Sequence, residues 1–153
     1  MACRDAAKRL FPPMNWNSLV LHYIPLGGAV SHAAFGIHVL NPSLLARAAP
    51  TSDLAIANGL FFNASLGVGL YLYHRKHMKK VTTRTKVIYS IYGAVLFNFG
   101  SVLGWAATKA ILPRSSWVRS VFAVLTSCTL LAIGRDYLGY VDAIAAIDEE
   151  DVE

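Results

Sequence analysis

The sequence predicts an all-α membrane protein: four transmembrane helices in an antiparallel bundle, both termini on the same cytoplasmic or matrix side. Three observations predict it. Of 153 residues, 55% are hydrophobic and only 15% are charged, against roughly 25% charged in an ordinary soluble domain, and mean hydropathy is +0.44. Four apolar runs, at about 18–40, 54–73, 87–112 and 117–138, each reach the ~20 residues a helix needs to cross a ~30 Å hydrocarbon core. The runs show no period-2 alternation, and only helices or closed barrels satisfy every backbone group in lipid.

The chain divides into a basic arm (1–17), a transmembrane domain (18–138) and an acidic tail (139–153). The arm carries Arg4, Lys8 and Arg9 ahead of the first apolar run, as a signal peptide would. The run is long and lacks an obvious small-residue cleavage site, so the first helix is expected to be retained. Cys3 and Cys128 are too few for a disulfide framework.

Orientation follows the Lys/Arg bias of short loops. Nine such residues fall on one side: Arg4, Lys8, Arg9, Arg75, Lys76, Lys79, Lys80, Arg84 and Lys86. Four fall on the other: Arg47, Lys109, Arg114 and Arg119. Tyr71, Tyr73, Tyr89, Tyr92, Tyr137 and Tyr140 cluster at the basic side with Trp16, and Trp117 marks the opposite rim, as headgroup-seeking aromatics would.

Small residues recur at spacing four. Gly28, His32 and Gly36 share one face of the first helix, and Gly59, Asn63 and Gly67 share one face of the second. His32 lies ~12 Å and Asn63 ~13.5 Å from the outer ends of their helices, so the two are expected to meet. The third helix adds Asn98, Gly100 and Gly104, and the fourth adds Thr126, Ser127, Cys128 and Thr129. A polar layer near the bilayer centre is the expectation. Its simplest role is helix–helix glue, worth under about 1 kcal/mol per bond. A relay or ligand site is the sharper reading, because His32 is the layer's one side chain that ordinarily titrates near neutrality.

Other chemistry has little support. Haem would need facing histidines, and His22 with His74 is the one pair that the spans bring near each other. His74 and His77 have an i, i+3 metal spacing, yet cationic neighbours surround them. Asn63-Ala64-Ser65 matches a glycosylation acceptor but falls inside the bilayer. No phosphate loop, carboxylate pair or nucleophile motif occurs, so no catalytic residue, cofactor or metal is expected, and the chain does not read as an enzyme.

The basic loop at 74–86 presents Arg75, Lys76, Lys79, Lys80, Arg84 and Lys86, which suit orientation and anionic lipid of the cardiolipin type. No stacking platform accompanies them, so nucleic acid is not an expected partner. Asp148, Glu149, Glu150, Asp151 and Glu153 form an acidic end on the same side. The expected function is a non-catalytic accessory subunit of a larger membrane complex, respiratory or ATP-synthase-like, in the mitochondrial inner membrane. Its partners would be other membrane subunits, reached through glycine-rich helix faces and the acidic tail. The alternatives are a small oligomeric carrier or channel using the His32, Asn63 and Asn98 layer, and a scaffold or enzyme of lipid metabolism at the interface. Endoplasmic reticulum and bacterial plasma membrane are the alternative locations.

Overall fold

The computed structural model describes residues 12–150, with side chains described through Ile147. Arg4, Lys8, Arg9, Asp151 and Glu153 lie outside the described residues, as do the side chains of Asp148, Glu149 and Glu150. The chain is all-helical, and no strand occurs among the described residues. Four helices are long and apolar enough to cross a membrane: α1 (Trp16–Leu40), α3 (Asp53–Tyr73), α4 (Thr83–Lys109) and the first part of α5 (Ser116–Glu150). A short α2 (Pro42–Ala48) follows α1, and one 3₁₀ turn (His77–Lys80) follows α3.

Local chemistry sets most of the ends. Asn15 caps α1, its side-chain oxygen accepting the Ser18 N–H at 2.7 Å. Leu19–Tyr23 is π-helical, so that the Ile24 N–H reaches the Leu19 carbonyl. Pro25 explains the widened turn: its ring would collide with the carbonyl four residues back and it has no N–H to give. Pro42 opens α2 at a position where a missing N–H costs nothing. Thr82 caps α4, and Pro113 falls in the short break between α4 and α5.

One boundary departs from the sequence expectation. The fourth helix does not end near 138; it continues through residues expected to form a tail, to Glu150. Its 35 residues span ~52 Å, well beyond the hydrocarbon thickness. Ala143, Ala145 and Ala146 favour helix, and Asp142 finds partners outside it (below).

α1 is the central element and packs against α3, α4 and α5. α3 also packs on α4, whereas α4 and α5 barely touch and leave a cleft between them. The buried set is unusually small and polar: Ser31, His32, Ser90, Asn98, Ser101 and Ser127 are buried beside Ala57, Ala64, Ala94, Ala123, Leu40 and Trp105. Large apolar side chains such as Phe62, Leu103, Leu125 and Ile133 point outward. That inversion suits lipid, which is as apolar as leucine and gives large side chains no reason to hide.

Candidate functional site

The glycines divide into two classes. At the α1–α3 crossing a Cβ on Gly28 would stand 2.7 Å from the Gly67 Cα, and the reverse holds for Gly67. The backbones touch there because neither residue has a side chain. Gly36 admits the Trp105 ring of α4, 2.8 Å from where its own Cβ would lie. Gly59, Gly100 and Gly104 are different: a Cβ on any of them meets nothing within 4 Å. Gly100 and Gly104 line the α4–α5 cleft, about 480 Å³, with Ser101, Thr108, Thr126 and Leu130 around them.

His32, Asn98 and Ser127 are buried, Asn63 and Thr126 are half-buried and Thr129 is exposed, and these residues do not form one continuous layer. His32 is 1% exposed, and its Nδ1 lies 2.5 Å from the Ser127 hydroxyl of α5. Its ring packs at a tilt against Phe97 and Trp105 of α4, centroids 5.1 and 4.9 Å away. The expected His32–Asn63 meeting is replaced by a neighbouring one. Asn63 donates its amide to the Ser31 hydroxyl at 2.8 Å. Successive helical residues point about 100° apart, so Ser31 faces α3 while His32 faces α5. Asn98 turns back on its own helix, donating to the Ala94 carbonyl at 2.8 Å. Thr126 accepts the Trp105 indole N–H at 2.9 Å, Thr129 donates to the Leu125 carbonyl, and Cys128 is exposed.

The basic loop is broken up by its contacts. Arg75 pairs with Asp142 of α5 at 2.9 Å, donates to the Tyr71 hydroxyl and lies over that ring. Asp142 also accepts the His77 backbone N–H at 2.9 Å and faces the His77 Nδ1 at 2.6 Å. Burial would raise the Asp142 carboxyl, but the His77 hydrogen bonds and the Arg75 charge outweigh it and hold it below its ordinary 3.8. Lys80 donates to the Ala145 carbonyl, and Lys86 lies over the Tyr73 ring, 4.1 Å from its centroid. Arg84, Lys76 and Lys79 are exposed. His74 directs its Nδ1 to the Leu70 carbonyl and His77 directs its own to Asp142, so the i, i+3 pair does not converge.

A second cluster closes the opposite end. Asn41, buried where α1 meets α2, donates to the Ser116 carbonyl at 3.0 Å and the Ser120 hydroxyl at 3.1 Å. Arg119 donates to the carbonyls of Leu40, Lys109, Leu112 and Pro113, and Lys109 donates to Val39. Cations here satisfy helix-end carbonyls that have no partner in their own helix. Sequence reasoning missed Asp142 and Asn41, whose partners lie more than sixty positions away, and the capping role of Arg119, which joins the distant Leu40 carbonyl to those of the nearby 109–113 turn. Comparison of the chain with protein-family models, with curated proteins and with solved structures returns no match.

Proposed function

We propose that the chain is a non-catalytic accessory subunit of a larger membrane protein complex, and that it docks a transmembrane helix of a partner subunit. One observation carries the reading: Gly59, Gly100 and Gly104 keep small-residue faces open, while Gly28, Gly67 and Gly36 are used up inside the chain. Small-residue faces let helix backbones approach in lipid, where no hydrophobic force drives association. Burial of His32, Asn98 and Ser127 at 0–2% exposure favours this reading over a carrier that would wet them.

The proposed topology is an antiparallel bundle with both termini on the basic side. It is supported by His77, in the turn between α3 and α4, reaching Asp142 late in α5, and by Asn41 at the end of α1 reaching Ser116 at the start of α5. The proposed location is the mitochondrial inner membrane, and the proposed complex is respiratory or ATP-synthase-like. The test is mild-detergent extraction, a native gel and mass spectrometry of a tagged chain. The expected result is comigration with a large complex, lost in Gly100→Leu/Gly104→Leu while the chain still reaches the membrane. A lone chain or small homo-oligomer in the wild type overturns the proposal, and recovery in microsomes overturns the location.

A further inference from the structure

α5 carries an apolar stripe that faces away from the loop gripping it. Leu130, Ile133, Tyr137, Tyr140, Ile144 and Ile147 recur at spacings of three and four, the a and d positions of a heptad, and each is 37–65% exposed. Asp142 takes the heptad position farthest from them, and it is Asp142 that Arg75 and His77 hold. Ala145 and Ala146 lie against the same loop. α5 thus gives one face to its own loop and leaves the opposite face open. Lipid tails cover only part of that face. Tyr140, Ile144 and Ile147 stand at the level of Asp142, Arg75, Lys76 and Lys79, a group of charges that hydrocarbon excludes. Toward the membrane centre the stripe meets a second open surface. Thr126, four residues before Leu130 on the same seam, lines the α4–α5 cleft together with Leu130, Gly100 and Gly104. The open small-residue face and the apolar stripe are one continuous surface.

We infer that this surface takes a single helix of the partner subunit, one that lies in the α4–α5 cleft and continues along α5 out of the lipid. That helix carries its own apolar residues at three-four spacing, with Lys or Arg beside them. The inference rests on the helix-docking reading and adds the partner's chemistry to it. Its apolar seam follows from the heptad, since a and d knobs on one helix need matching holes on the other. Its basic flank follows from charge. Asp136 is exposed next to the stripe, and residues 136–153 hold seven acids and no Lys or Arg. A helix that leaves the membrane on a basic side brings Lys and Arg to that height. The same charge disfavours a second copy of this chain. Two copies inserted in the same sense would lay their α5 helices parallel and bring like ends together.

Labelling of the full chain with a water-soluble maleimide tests it, in a Cys3→Ser/Cys128→Ser background. Ile144→Cys reads the stripe, and Ala146→Cys reads the loop face of the same turns. In purified chain in phosphatidylcholine nanodiscs both are expected to react, at rates within about threefold of each other. In native membranes Ile144→Cys is expected to slow at least about tenfold and Ala146→Cys under about threefold, because a docked helix excludes water from its seam. Potassium chloride at about 0.5 M should reverse part of that slowing by screening the flanking charges. Protection that salt leaves unchanged overturns the basic flank. Slow labelling of Ile144→Cys already in nanodiscs assigns the face to lipid or to the chain itself and overturns the inference. A disulfide between two Ile144→Cys chains in native membranes assigns it to a second copy and does the same. Equal rates at both positions in native membranes, in a chain that still comigrates with a large complex, overturn this inference and leave the helix-docking reading standing. A chain that migrates alone with Ile144→Cys reactive overturns both.

Discussion

The two kinds of glycine make opposite predictions for the same substitution. At Gly28 a methyl group strikes the Gly67 backbone, which cannot swing aside as a flexible side chain would. Gly28→Ala is expected to destabilise the protein by about 1–3 kcal/mol, the usual range for overpacking. Gly100→Ala meets nothing and is expected to leave stability unchanged within about 0.5 kcal/mol. Thermal unfolding in detergent separates the two. A similar cost at both positions would mean that the α4 face is already packed. His32 allows a second comparison. Ser127→Ala removes one buried hydrogen bond and should cost about 1 kcal/mol, whereas His32→Ala also empties the space beside Phe97 and Trp105 and should cost about 2–4 kcal/mol.

At the scale of the element, α5 is one helix with two environments. Its first part packs against α1, and its last turns contact the loop that grips Asp142. Asp142→Asn should accelerate tryptic cleavage at Lys76, Lys79 and Lys80 several-fold while leaving the main unfolding transition in place, because the clamp holds a peripheral segment that opens locally. The same contact sets a pH window. The folded carboxyl lies below its ordinary 3.8, so its stabilisation is fully present above that value and is lost as pH falls through the lower folded value. The hydrogen-exchange protection factor of the His77 amide should therefore hold from pH 7 to about 4 and fall only in stronger acid. Loss of protection between pH 7 and 5 would point to a different titrating group.

For the whole molecule, the proposed topology makes labelling predictions. A cysteine introduced at Thr82 should react from the same side of the membrane as one introduced at Ile147, and one at Thr51 from the other. Cys128, exposed but midway along the apolar part of α5, should resist a water-soluble maleimide in bilayers and react once detergent replaces lipid. Reaction of Thr82 and Thr51 cysteines from one side would refute the topology.

What the sequence determined by itself was the number of membrane-length helices and the residues that make their faces: charge sorted to the ends, and the stripes Gly28-His32-Gly36, Gly59-Asn63-Gly67 and Gly100-Gly104 at spacing four. Those features are local, because crossing lipid demands an uninterrupted apolar helix and close approach demands a missing side chain. Only the tertiary structure decided which glycines are consumed and which stay open, since that depends on how far apart α4 and α5 stand. It also decided that Asn63 pairs with Ser31 and His32 with Ser127, a choice set by a rotation of one residue about the helix axis. The basic run read as six equivalent charges; the fold assigns Arg75 to Asp142, Lys86 to Tyr73, and Lys76, Lys79 and Lys80 to one cleft. Periodicity locates a residue on a helix, but partners sixty-five positions apart, as His77 and Asp142 are, become neighbours only when the helices pack.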